Sequence, residues 1–414
     1  MPLFQLAALF LTVVAAVAWI NAKALRLPPG VAMLAAGLIG AAALYGLSIL
    51  APGLPGVANA VHVIAKVDFP ETVVGYMLGF LLFAGAMQVD LHELKRRNLA
   101  VWTLATVGVL VSTALVGGGV WLVAGALKLD LPLPWALVFG ALISPTDPVA
   151  VLSTVKRGGL SAGLKAILQG EALFNDGVGI VVFLALLALA SGGGANPGAA
   201  ALEVAVKAGG GLLFGLAAGY VAIRAMRAVD DEVVEGVISL ALATGVYAAA
   251  DALNLSGPVA VVAAGLTMGG LEGRGATAGR HAHLRAFWAL IDEILNALLF
   301  FLLGLEMLVV AFDIRSAGLW LAAIPLVLLA RLLIVLPWGA WFHFSGSERS
   351  PSLILTWGGL HGALSLALAL SIPPVPAKPL ILALTYAVVV FSVGVQGLTF
   401  APLVAAANRA KNGS

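Results

Sequence analysis

Thirteen apolar runs, each long enough to cross a lipid bilayer, leave this chain little choice of fold. They fall at about 3–21, 28–50, 71–89, 98–127, 132–155, 160–191, 198–226, 233–252, 256–271, 286–312, 316–344, 351–372 and 379–405. A helix needs about 20 apolar residues to span a hydrocarbon core about 30 Å thick. Lipid offers backbone N–H and C=O groups no partner, so each run must pair them within itself as a helix. The expectation is an all-α polytopic membrane protein of about 13 transmembrane helices. Only 10% of its residues are charged, against about 25% in soluble domains. No stretch suits a soluble domain, and residues 52–70, which include VANAVHVIAK, are expected to lie along the interface. The chain has no Cys, which excludes disulfides, thiolate metal sites and Cys catalysis. A formal charge of +2 gives no footprint for nucleic acid. The first run lacks a basic segment before it and is read as a retained span rather than a cleaved signal peptide.

Loop charges test the count independently. With the N-terminus outside, fifteen Lys and Arg fall in cytoplasmic loops, at the cytoplasmic end of span seven (Arg224) or in the C-terminal tail, four fall outside, and Lys165, Lys207 and Arg331 lie within spans. That bias is the one cytoplasmic loops carry, and losing one span would scramble it downstream. The C-terminus is therefore expected in the cytoplasm.

Against this background the stretch from Gly140 to Gly179 is costly. GALISPTDPVAV and LQGEALFNDGVG put Asp147, Glu171, Asn175 and Asp176 inside apolar segments. A carboxylate near the bilayer centre costs about 2.5–3.5 kcal/mol even on the lenient scale. Pro145 and Pro148 flank Thr146 and Asp147, and proline removes a donor and clashes with the preceding turn. Span five should therefore break there and free the carbonyls of Ile143, Ser144 and Thr146. Free carbonyls, a hydroxyl and carboxylates make a site for a small hard cation. Span twelve, which runs the opposite way, carries Gly358, Gly359, His361 and Gly362 near its middle, where glycine weakens helix. Two interrupted helices of opposite direction point to an inverted-repeat transporter. Glu306 is placed near the outer end of span ten. Asp292 and Glu293, nearer its cytoplasmic end, either line an access funnel or sit on a solvated helix end. His281 and His283, in the basic loop GRGATAGRHAHLR, either sense pH or belong to a loop that only sets orientation.

PTDPVAV followed by GEALFNDGVGIVV resembles the monovalent cation:proton antiporter-1 family, the bacterial Na⁺/H⁺ antiporters of the NhaP type that are related to animal sodium–proton exchangers. FWALIDEILNALLFFLLGLEM at 287–307, Ala330-Arg331, WGGLHGALSLALALSIP at 357–373 and Gln396-Gly397-Leu398 extend the resemblance in order over essentially the whole chain. It implies a core domain of residues 98–191 (spans four to six) and 313–414 (spans eleven to thirteen), with crossed, broken helices five and twelve. Residues 1–97 and 192–312 would then form a dimerisation domain. The protein would be a homodimer in a bacterial inner membrane, its core moving as an elevator.

The resemblance also assigns roles. Asp176 is the carboxylate that takes either cation or proton, and Asp147 is a second ligand or holds the site's water. Thr146 ligates the transported Na⁺ through its hydroxyl or backbone, or caps the half-helix that follows. Asn175 matches the position that separates electroneutral Asn-Asp members from electrogenic Asp-Asp ones. Arg331 must pair inside hydrocarbon, and the family pattern gives Glu171 as its partner. Three positions depart from the pattern: Ala172 replaces a Ser, Gln169-Gly170-Glu171 replaces EGE, and His361 replaces the Arg of GGLRGA. His361 either titrates near neutrality and tunes activity with pH or is a neutral hydrogen-bonding filler. The mechanism implied is exchange of Na⁺ or Li⁺ for H⁺, one for one, by competition at Asp176. No cofactor is called for beyond the transported ions. K⁺ in place of Na⁺ is the alternative. Two Asp on adjacent spans would also suit an intramembrane aspartyl protease, but the Tyr-Asp and Gly-x-Gly-Asp pairing is missing and Pro145, Pro148 and Arg331 would be unexplained.

Overall fold

Backbone groups that can pair only within their own segment fold the apolar runs into helices. The structure, a computed structural model, describes residues 3–50, 77–89, 97–147, 160–192, 197–229, 231–270, 282–308, 313–344 and 351–412. The predicted interfacial stretch 52–70, the start of span three, Pro148 with the remainder of span five, and His281 with most of its basic loop lie outside the described residues.

In chain order the helices are α1 (Leu3–Ile20), α2 (Pro29–Leu50), α3 (Leu78–Met87), α4 (Asn98–Ala126), α5 (Leu133–Ile143), α6 (Ala162–Ala190) and α7 (Pro197–Arg227). There follow α8 (Glu232–Ala252), α9 (Gly257–Gly269), α10 (Ala282–Leu305), α11 (Ala317–Phe344), α12 (Pro351–Trp357), α13 (Ala363–Ser371) and α14 (378–412). Among the described residues nine helices are long and apolar enough to cross a membrane, and α3, α5 and α9 are shorter apolar helices. Single π turns interrupt α4 at Leu104–Gly108 and α14 at Ser392–Gln396.

The apolar runs locate the helices but not all of their ends. Span ten was expected at 286–312, yet α10 starts at Ala282 and stops at Leu305 before a 3-10 turn, Glu306–Leu308. A helix satisfies its own backbone on both sides of the lipid boundary, so it continues into polar residues that an apolar window ignores. Helix α11 holds Pro325 and Pro337 without a break.

Large apolar side chains such as Ile39, Leu213, Val221 and Leu321 are exposed on the outer surface, as contact with lipid requires. Inside, backbones approach through small residues. A β-carbon on Gly304 of α10 would fall 2.7 Å from Gly37 Cα of α2. The polar tip of buried Trp288 is satisfied, its Nε1 donating to Ser239 Oγ at 3.1 Å while its ring packs 4.6 Å from that of Phe83. The main packing partners fall into two sets. Helix α10 lies along α2 and α3, and α9 lies along α3, α7 and α8. Separately, α5 lies between α4 and α6, α11 lies along α4, α12 and α14, and α13 lies along α14.

Candidate ion-binding site

Where the two sets meet, two helices stop short. Helix α5 ends at Ile143, and Ser144 turns its Oγ back to Gly140 O at 2.6 Å. Pro145 has no N–H to continue the ladder. The chain then runs on until the Asp147 N–H donates to Leu360 O at 2.6 Å, an isolated antiparallel bridge. Leu360 lies in the gap between α12 and α13, where the chain is non-helical from Gly358 to Gly362. The two breaks therefore meet main chain to main chain.

Close approach explains two of the glycines in that gap. A β-carbon on Gly362 would collide with the Asp147 carboxylate, and one on Gly359 would fall 2.6 Å from Arg331 Nε. Overpacking of this kind costs about 1–3 kcal/mol. Gly362→Ala is therefore expected to lower stability by that amount, read as a drop in the thermal unfolding midpoint in detergent; an unchanged midpoint would contradict the packing.

Residues from five regions, α3 among them, line a cavity of about 120 Å³, room for several waters. Pro145, Thr146 and Asp147 come from the α5 break; Gln169, Ala172 and Asp176 come from α6. Asp292 and Asn296 come from α10, and Ser365 from the first turn of α13. Thr146 and Asn175 are buried, and Asn175 Nδ2 donates to Thr146 Oγ1 at 2.9 Å. Asn175 Oδ1 is buried with no donor among the described residues. Ala172 stands on the cavity wall, so the Ser hydroxyl of the family pattern is missing at the cavity itself.

Glu171, one turn before Asn175, is 1% exposed and meets Arg331 of α11 in a two-pronged ion pair. The second prong, Arg331 Nη2 to Glu171 Oε2, measures 2.8 Å, and Arg331 Nε donates to Leu355 O of α12 at 3.3 Å. One guanidinium thus joins α6, α11 and α12. A planar fork against a carboxylate is the geometry arginine supplies best.

His361 is buried, and its backbone N–H donates to Ser392 Oγ at 2.9 Å. Its Nδ1 lies 3.1 Å from Pro145 O, and because a carbonyl only accepts, that nitrogen carries the proton. Ser392 Oγ in turn donates a hydrogen bond to Gln396 Oε1 at 2.7 Å, inside the π turn of α14. His361 therefore ties the α5 break to α14.

Of the residues singled out in the sequence, Asp147, Thr146 and Asp176 share the cavity, Asn175 touches it through Thr146, and Glu171, Arg331 and His361 stand behind it. Asp292 lines the same cavity, while Glu306 is buried in the turn after α10. Sequence reading missed Asn296, whose Nδ2 donates to Asp292 Oδ1 at 2.9 Å. The available signal was a second polar residue one turn beyond Asp292.

The chain is 39% identical to the Na⁺/H⁺ antiporter NhaP of Pseudomonas aeruginosa over 97% of this chain and 96% of that one. It is 35% identical to the Na⁺/H⁺ antiporter NhaH of Halobacillus aidingensis over 92% and 93%. The solved structure of the sodium proton antiporter MjNhaP1 from Methanocaldococcus jannaschii at pH 8 matches the fold with a TM-score of 0.73 at 23% identity, over 98% of both chains. The profile for the transmembrane region of sodium/hydrogen exchangers matches residues 10–406, and the chain belongs to that family of membrane transporters.

Proposed function

We propose that this Na⁺/H⁺ antiporter exchanges one Na⁺ (or Li⁺) for one H⁺, the two competing for Asp176, with Asp147, Thr146 and Asn175 completing the site. The observation that carries this reading is the single cavity faced by both Asp147 and Asp176, beside two broken helices bridged from Asp147 to Leu360. Asn175 Oδ1 adds a buried oxygen without a donor among the described residues, the kind of atom a cation or its water satisfies.

Electrostatics supplies the coupling. An ionised, unloaded site is expensive to carry through a low-dielectric barrier. One Na⁺ or one H⁺ on Asp176 lowers that charge by one unit, and the loaded site crosses. Asn175 is neutral and Glu171 is matched by Arg331, so neither adds a charge that a second ion would have to cancel. That favours a one-for-one count.

The two packing sets support a division into a moving core (98–191 and 313–414) and a supporting domain (1–97 and 192–312). The nine long helices, the three shorter ones and the α12–α13 pair support thirteen spans arranged as an inverted repeat. Loop charges favour an outside N-terminus and a cytoplasmic C-terminus in a bacterial inner membrane. On α6 the cavity is lined by Gln169, Ala172, Leu173 and Asp176, the side toward the helix N-terminus, so it opens to the cytoplasm in this orientation. Pairing of two copies through the supporting domain is the assembly the family resemblance implies.

The test is a pH-dye assay in proteoliposomes. Added Na⁺ or Li⁺ is expected to dissipate an imposed proton gradient, and a permeant anion such as thiocyanate is expected to leave the rate unchanged. Acceleration by thiocyanate would show net charge movement and overturn the one-for-one count. A response to K⁺ equal to that for Na⁺ would overturn the choice of ion.

A further inference from the structure

A third carboxylate faces the same cavity from outside the proposed moving core. Asp292 stands on α10, which packs on α2 and α3, whereas Asp147 and Asp176 stand on the other set of helices. Its position is built rather than incidental. Asn296, itself only 5% exposed, donates Nδ2 to Asp292 Oδ1 at 2.9 Å and to the Asp292 backbone carbonyl at 2.9 Å. Gln88, the residue after α3, lines the same cavity. Asn296 thus aims one acid into a cavity whose other acidic walls are Asp147 and Asp176. Asp292 forms no ion pair with a basic side chain among the described residues, unlike Glu171, and three carboxylates around one small cavity repel one another unless a cation or a proton offsets their charge.

We infer that Asp292 is an ion-capturing residue for the exchange reaction: a stationary carboxylate that draws a monovalent cation from the side to which the cavity opens and presents it to Asp147 and Asp176. This rests on the core-and-support reading above. If the core moves while α10 stays, Asp292 belongs to the site in one conformation and is left behind in the other. Its contribution is therefore one-sided. A ligand carried with the core acts equally from both sides, and a purely structural residue affects neither side selectively.

The experiment reads Na⁺-dependent exchange in proteoliposomes of sorted orientation, with Na⁺ added to the cytoplasmic or to the opposite face, for the wild type and Asp292→Asn. Asp292→Asn is expected to raise the KM for Na⁺ about tenfold on the cytoplasmic face, the effect of losing one nearby charge in a partly screened cavity. The opposite-face KM and the maximal rate are expected to stay within about twofold of the wild type. Asp292→Glu, which keeps the charge, is expected to restore most of the cytoplasmic KM. Equal shifts on both faces, or an unchanged cytoplasmic KM, would overturn the proposal. Should Asp292→Asn not be recovered as folded protein, Asn296→Ala keeps the acid but removes the amide that aims it. The same one-sided change, of smaller size, is then expected, and a symmetrical change sinks the idea. Failure of the carrier reading itself would look different: exchange would persist in Asp176→Asn whatever Asp292 does.

Discussion

Asp176→Asn is expected to abolish Na⁺-, Li⁺- and K⁺-driven proton movement in proteoliposomes while leaving the protein folded. The substitution conserves shape, and Asp176 sits on a cavity wall rather than in a packed interior, so the elution profile and unfolding midpoint should hardly change. What changes is the charge. A cation about 4 Å from a carboxylate gains about 4 kcal/mol at an effective dielectric of about 20, so its loss weakens binding about a thousandfold. The amide also cannot take up the competing proton, so the return half of the cycle has no passenger. Both halves fail together, and the signal should fall to that of protein-free vesicles. Asp147→Asn leaves the exchanging group in place and should slow transport less completely. Exchange that survived in Asp176→Asn at more than a few per cent of the wild-type rate would remove the basis of the proposed mechanism.

Removing one member of the Glu171–Arg331 pair is expected to be more damaging than removing both. The two groups are 1% and 8% exposed, and their two-pronged contact joins α6 to α11. Breaking a buried ion pair by deleting one partner costs about 3–5 kcal/mol, because an uncompensated charge is left in a medium that cannot solvate it. Replacing both partners with uncharged residues avoids that penalty. Glu171→Gln and Arg331→Met should therefore each lower the unfolding midpoint strongly, and the double variant should recover much of the loss. Arg331→Met also frees the Leu355 carbonyl, so it should be the worse of the two. The reading is a double-mutant cycle on thermal unfolding in detergent; additive losses would mean that the pair does not act as a unit.

The extent to which this architecture could be read from the sequence follows from which interactions are local. Lipid forces each apolar run to be a helix, so runs such as 28–50 and 233–252 fall within a residue or two of α2 and α8. Pro145 and the Gly358–Gly362 stretch marked both interruptions because their effect on the backbone is local. Arg331 announced the need for a partner, since a cation within a span cannot stand alone, although only the family pattern named Glu171. The joints between distant segments were not legible. His361 Nδ1 meets a carbonyl 216 residues away, and its N–H meets Ser392 in a π turn that periodicity does not signal. Asp292 left two readings open because its exposure depends on how α10 rotates against α3. That rotation is set by contacts such as the one between Phe83 and Trp288, which no single segment encodes.

The bridge from Asp147 to Leu360 is made of peptide groups alone, so no ordinary substitution can erase it; every residue but proline brings the same donor. The joint between the two breaks is therefore insulated from drift in the side chains hung upon it. Ala172 lines the cavity beside that joint, and His361 follows Leu360 directly in the chain. A substitution at either position would change the surroundings of the cavity and leave this joint in place.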